Sequence, residues 1–186
     1  MKERGHVLEI LKGAKRALEK GDGVKLKELS NQTIHTSSID QDPDNVAIAV
    51  IVYSFSKIIE RKDYQKYENW KTFYKTNLSL IGKTIKALEK GNDAEVRKYL
   101  TSIRKSIESL SGKLKIYIQD VFRKASINKA SRIYEHGISM ERTASLLGIT
   151  MFELSEYAGK TGISDVPLGK TLEVKKRIKL AMEKFG

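Results

Sequence analysis

The chain has 186 residues, 40% of them hydrophobic, with 35 Lys and Arg against 23 Asp and Glu. That length suits one large domain or two small ones, and the apolar share can build a core, which argues against wholesale disorder. The absence of cysteine excludes disulfides, thiolate zinc sites and iron–sulfur clusters.

No run of about 18 apolar residues occurs, so no membrane-spanning helix is expected. The start, "MKERGHVLEI", lacks the unbroken apolar stretch of a signal peptide, and the expected location is cytoplasmic. His6, His35 and His136 lie far apart, without the spacing of a metal pair or a catalytic triad. The expectation is therefore no metal, no cofactor and no enzyme activity. A net charge of +12 suits nucleic acid, an anionic surface or an acidic protein partner. The excess grows along the chain: +2 over residues 1–62, +4 over 63–112 and +6 over 113–186.

Two prolines, against a usual share of about 5%, point to helix throughout. The first helix is expected from Glu3 to Lys20, with Val7, Leu8, Leu11, Ala14 and Leu18 on one face and Gly21 as the stop. A second follows over about Val24 to Thr36. In "DQDPDN", Asp42 can cap a third helix, Pro43 fits its first position and Asp44 suits the positive end of its dipole. A calcium loop at Asp40, Asp42 and Asp44 fails, because Asn45 and Ile51 stand where glycine and glutamate are needed.

Residues Asp63 to Lys90 again read as helix, with Tyr64, Tyr67, Trp70, Phe73 and Tyr74 interleaved with lysines. Such a cluster can stack on single-stranded nucleic acid. Helical spacing places Tyr67, Trp70 and Tyr74 on one face, which favours a core or subunit-interface role. A weak repeat links "ALEKGDGVKLKELS" from Ala17 with "ALEKGNDAEVRKYL" from Ala87, suggesting two related helical hairpins. From Val96 the apolar residues Leu100, Ile103, Ile107, Leu110, Leu114, Tyr117 and Val121 alternate steps of four and three. The pattern predicts one long coiled-coil-like helix running through Ser111-Gly112.

"MERTASLLGITMFELSEYAG", from Met140, reads as two short helices joined by a tight turn. Ala144 is small where helices cross, Gly148 can take the left-handed turn conformation, and Thr150 can cap the second helix. Leu147, Ile149, Leu154 and Tyr157 supply packing positions, and "INKASRIYEHGIS" an extra helix closed by Gly137. This segment, over Ala125 to Ser164, resembles the helix–turn–helix domains of prokaryotic regulators, most of all antitoxin-like families. The resemblance implies binding to double-stranded DNA, often joined to protein–protein regulation.

The second helix departs from that pattern. Between Thr150 and Gly159 it has no Arg, Lys, Asn or Gln, and Glu153 and Glu156 face phosphate unfavourably. The expected DNA contacts are therefore Thr150, Ser155 and Lys160, supported by Arg123, Lys124, Lys129 and Arg132 before the motif and by Lys175, Lys176, Arg177 and Lys179 on a final amphipathic helix. The expected fold is all-α. A helical bundle over 1–118 would serve a homodimer or another protein partner, and a helix–turn–helix domain over 119–186 would end in a basic helix. The alternative is a protein-interaction adaptor of the same shape that does not read DNA, anchored by Met151 and Phe152 if these are exposed. Structured RNA would use the same charge without a recognisable RNA module. A nuclease built on Arg132 and His136, one turn apart, has the least support.

Overall fold

A computed structural model describes residues 3–62 and 66–161, without the side chains of 35–40 and 161. The described chain is all-helical, with α1 (Arg4–Lys20), α2 (Gly23–Asp40), α3 (Pro43–Arg61), α4 (Trp70–Glu89), α5 (Asp93–Glu108), α6 (Gly112–Glu135), α7 (Met140–Leu147) and α8 (Met151–Thr161). None of its helices is long and apolar enough to cross a membrane.

The repeat seen at Ala17 and Ala87 has a matching backbone. Gly21 and Gly91 both adopt left-handed φ values, 67° and 70°. The amide after each glycine donates back to Ala17 O or Ala87 O, at 2.8 and 2.9 Å, which closes the helix with its orphan carbonyls satisfied. Asp22 and Asn92 then accept from the amides of Lys25 and Glu95, starting the next helix. One glycine-plus-cap device thus builds the α1–α2 and α4–α5 hairpins.

The third helix of each unit follows the same spacing, since α3 and α6 begin 69 residues apart, at Pro43 and Gly112. Two three-helix units result, and they pack through equivalent helices, α1 on α4 and α3 on α6. Both pairs run antiparallel. Tyr74 Oη at the start of α4 donates to Leu18 O at the end of α1 (2.7 Å), while Arg4 at the other end pairs with Asp93 (2.9 Å). One apolar cluster draws Val7, Leu11, Leu26, Ile48, Phe55, Phe73, Ile81, Val96, Ile103 and Ile118 from all six helices.

Three expectations are corrected. The helix beginning at Val96 does not run through to Val121. Ser111 is extended, Gly112 has φ 59°, and the chain turns between α5 and α6. Serine and glycine are weak helix formers, and a glycine free to take positive φ makes the break inexpensive. Val96, Leu100, Ile103, Ile107, Leu114 and Val121 are nonetheless all buried, because both helices turn that face to the same core. The segment "INKASRIYEH" is the end of α6 with its capping residue His136 and not a separate helix. The helix expected from Asp63 begins at Trp70, after Asn69 with φ 66°.

The aromatic residues of α4 belong to the core side of the helix. Trp70 lies 5.9 Å from Phe73 and 5.6 Å from Tyr74 between ring centroids, and Tyr67 lies 6.2 Å from Tyr117. These distances fit packed aromatic pairs. Tyr64 falls outside the described residues.

Candidate functional site: the α3–α6–α8 face

The last two helices are joined by Gly148, Ile149 and Thr150. Gly148 takes the left-handed conformation, φ 65°, and the amide of Ile149 donates to Ala144 O at 3.1 Å. Ala144 is buried where α7 meets its neighbours, and Leu154 and Ala158 bury one face of α8. Both short helices pack on α6, and α7 also touches α3. Ile34 of α2, Val46 and Ala49 of α3 and Ile133 of α6 form a second apolar cluster, with Ile138 and Leu147 against it. That cluster seats the turn unit on the six-helix body.

Thr150 caps α8 as expected, and Glu153 completes the cap. Thr150 Oγ1 accepts from the Glu153 amide at 3.1 Å, while Glu153 Oε2 accepts from the Thr150 amide and hydroxyl, each at 2.9 Å. This is the reciprocal capping box, whose Thr-x-x-Glu spacing is legible in the sequence. Arg123 Nη2 adds a 2.6 Å ion pair to Glu153. The Thr150 backbone amide, then its hydroxyl, then Arg123 hold the Glu153 carboxyl below the usual carboxylate range. Glu153 ties α8 to α6.

The other expected DNA contacts divide. Arg123, Lys124 and Arg132 are exposed on α6, paired with Glu153, Asp120 and Glu135. Ser155 Oγ donates to Phe152 O, and Lys160 pairs with Glu156 at 2.5 Å. Lys175, Lys176, Arg177 and Lys179 lie outside the described residues, as does the apolar face expected at Leu172, Ile178 and Met182.

Lys129 is a correction. Its residue surface is 0% exposed, so it offers no ammonium to a phosphate at the protein surface. Its Nζ donates to Asn31 Oδ1 at 2.8 Å and sits 4.1 Å from the centre of the Tyr53 ring. Among the described residues it forms no ion pair. Burial first, then the nearby Arg132, Lys27 and Lys57, lower its pKa from the usual lysine value to about 7. The spacing of Ile118, Val121, Ala125 and Lys129 already placed that lysine on the apolar stripe of α6.

His136 Nδ1 donates to Arg132 O at 2.7 Å, and the Arg132 guanidinium pairs with Glu135. That arrangement closes the end of α6, and both side chains are exposed.

Met151 and Phe152, at the start of α8, are 54% and 75% exposed. No family model, no curated protein and no solved structure matches the chain.

Helices α3, α6 and α8 line an open groove of about 430 Å³. Tyr53, Lys57 and Arg61 come from α3, Val121, Lys124, Ala125, Ile127 and Asn128 from α6, and Glu153, Glu156, Tyr157 and Lys160 from α8. Asn128 Nδ2 donates to Tyr157 Oη across it at 3.3 Å. Partial burial raises the Tyr53 phenol above its usual pKa, against the opposing pull of Lys57. Because three helices contribute walls, no local sequence signal marked this groove.

Proposed function

We propose that the chain is a protein-interaction adaptor, in which the α7–turn–α8 unit has helix–turn–helix shape and engages a partner protein through Met151 and Phe152. The observation carrying this reading is the exposure of that adjacent apolar pair at the helix start, where a DNA reader would carry hydrogen-bonding side chains. A phenylalanine and a methionine suit an apolar pocket on the partner, since aromatic and Met anchors dominate interface cores. The two three-helix units act as the scaffold that holds α8 in place.

Binding to double-stranded DNA is the second reading, supported by Arg123, Lys124 and Arg132 exposed along α6 next to the turn unit. Each already has an acidic partner, so phosphate contact there must compete with an existing ion pair.

One experiment separates the two. A photo-crosslinking amino acid placed at position 152 is expected to give a discrete protein adduct in cells, while the same group at exposed position 116 gives none. The adduct should disappear with Met151→Ser, and the purified full chain should not shift duplex DNA at about 50 mM salt, where phosphate contacts are strongest. A DNA shift that weakens with Arg123→Gln and Arg132→Gln, without an adduct from position 152, would transfer the proposal to DNA.

A further inference from the structure

We propose that the groove between α3, α6 and α8 is a binding site for a small organic anion, one negative group carried on an apolar ring. The volume of about 430 Å³ falls in the range of small-molecule sites, roughly 300–1,000 Å³. Its lining is graded. Val121, Ala125 and Ile127 supply apolar lining from α6, and Tyr53 and Tyr157 contribute rings from α3 and α8. That part suits a flat apolar body and has little to hold a sugar or a peptide backbone.

The charge around the groove selects an anion. Lys57, Arg61, Lys124 and Lys160 line it against Glu153 and Glu156. Glu153 is taken by Thr150 and Arg123, and the lining lysines are paired as well, Lys57 with Glu60, Lys124 with Asp120 and Lys160 with Glu156. Among the described residues Arg61 forms no ion pair. Behind Tyr53 stands the buried Lys129, on which Arg132, Lys27 and Lys57 act as neighbouring cations, while Glu60 acts on Tyr53 itself. Lys57 and Lys129 lie 5.5 and 4.1 Å from the Tyr53 ring centre. An anion entering the groove can therefore pair with Arg61 without displacing an existing ion pair, in a partly water-excluded space where charge attraction is stronger than in bulk water.

The site does not depend on the adaptor reading, because neither Met151 nor Phe152 lines it. The test uses the full chain and three probes: naphthalene-2-sulfonate, the neutral naphthalene-2-methanol and inorganic sulfate. In amide NMR titrations the sulfonate is expected to shift Ala125, Asn128 and Tyr157. It should bind at least about tenfold more tightly than the neutral alcohol, a gap of about 1.4 kcal/mol. Sulfate alone should leave these resonances in place. Arg61→Gln, an exposed change that spares the core, should weaken the sulfonate roughly fivefold by removing one attractive charge. Hydrogen exchange in residues 151–160 should slow with the sulfonate bound, because α8 forms one wall. Equal binding of the neutral and charged rings, shifts confined to the Phe152 surface, or no binding to the full chain would each overturn the proposal.

Discussion

The two three-helix units share a hairpin device and part company at the third helix. In the first unit α3 is apolar on nearly every side, with Val46, Ile48, Ala49, Val50, Ile51, Val52, Phe55 and Ile58 all buried. It lies along α2, the most extensive pairing among the described helices, and α6 and α7 cover more of it. In the second unit α6 keeps only a stripe: Ile118, Val121 and Ala125 are buried, while Ile116 is 70% exposed and Gln119 and Arg123 face solvent. Helices α5 and α6 approach each other little, and the other side of α6 receives α7 and α8. A helix apolar all round must be enclosed, whereas an amphipathic one leaves a side on which further structure can build.

Substitutions at corresponding places can break that comparison. The largest effect is expected at Ile48 and Ile118, one in each third helix and both fully buried. Either one changed to alanine should lower unfolding stability by about 2–5 kcal/mol, the usual cost of a large-to-small core change. Ile116→Ala should stay within about 0.5 kcal/mol, as expected for an exposed site. A cost for Ile116 near that of Ile48, measured in urea, would mean that the outer face of α6 is covered.

Lys129 tests the same contrast through charge. Its pKa in the fold is lowered to about 7, so between there and the usual lysine value the unfolded chain binds more protons than the folded one. Stability from this group must therefore rise with pH across that window, and its penalty is fully present below about pH 7. Lys129→Ile is expected to stabilise the protein by about 1–3 kcal/mol at pH 7, since it removes an unbalanced buried charge. The gain over the parent should shrink as pH approaches 10. A loss of stability at every pH would show that the bond to Asn31 and the contact with Tyr53 outweigh burial.

A smaller and paired effect is expected at the hairpin glycines. Gly21→Ala and Gly91→Ala should each cost about 1–2 kcal/mol, because a side chain disfavours the left-handed conformation both adopt. The two costs should agree closely. Open space surrounds Gly21, and only the flexible Arg4 guanidinium approaches Gly91. Unequal losses in thermal unfolding would argue that the two turns are not equivalent in energy.

The smallest change concerns the added helices. Thr150→Ala removes the cap of α8 and should cost about 1 kcal/mol. Faster hydrogen exchange is expected at Glu153 and Leu154, with the six-helix body unaffected. Equal loosening of α3 would sink the idea that the turn unit is a local addition.

Local punctuation was legible before any coordinates. Gly21 and Gly91 stop helices, Asp42-Pro43 starts one, and Gly148 with Thr150 makes the turn into α8, all at the expected places. Each depends on backbone conformation over a few residues, which side-chain type dictates directly. The break at Ser111-Gly112 was not legible, because the apolar rhythm reports which face is buried and is silent on chain continuity. Of the expected surface contacts, Lys129 failed for a related reason. Its neighbours in sequence are basic, but its place on the helix is inward.

The order of amino acids by itself determined an all-helical chain, the hairpin ends and the apolar stripes, since these follow from propensity, capping and period. Only the tertiary arrangement decided that equivalent helices pack antiparallel, that Lys129 is enclosed beside Tyr53, and that three separate helices wall a charged groove. Those outcomes depend on contacts between residues far apart in the chain, where packing and desolvation outweigh local preference.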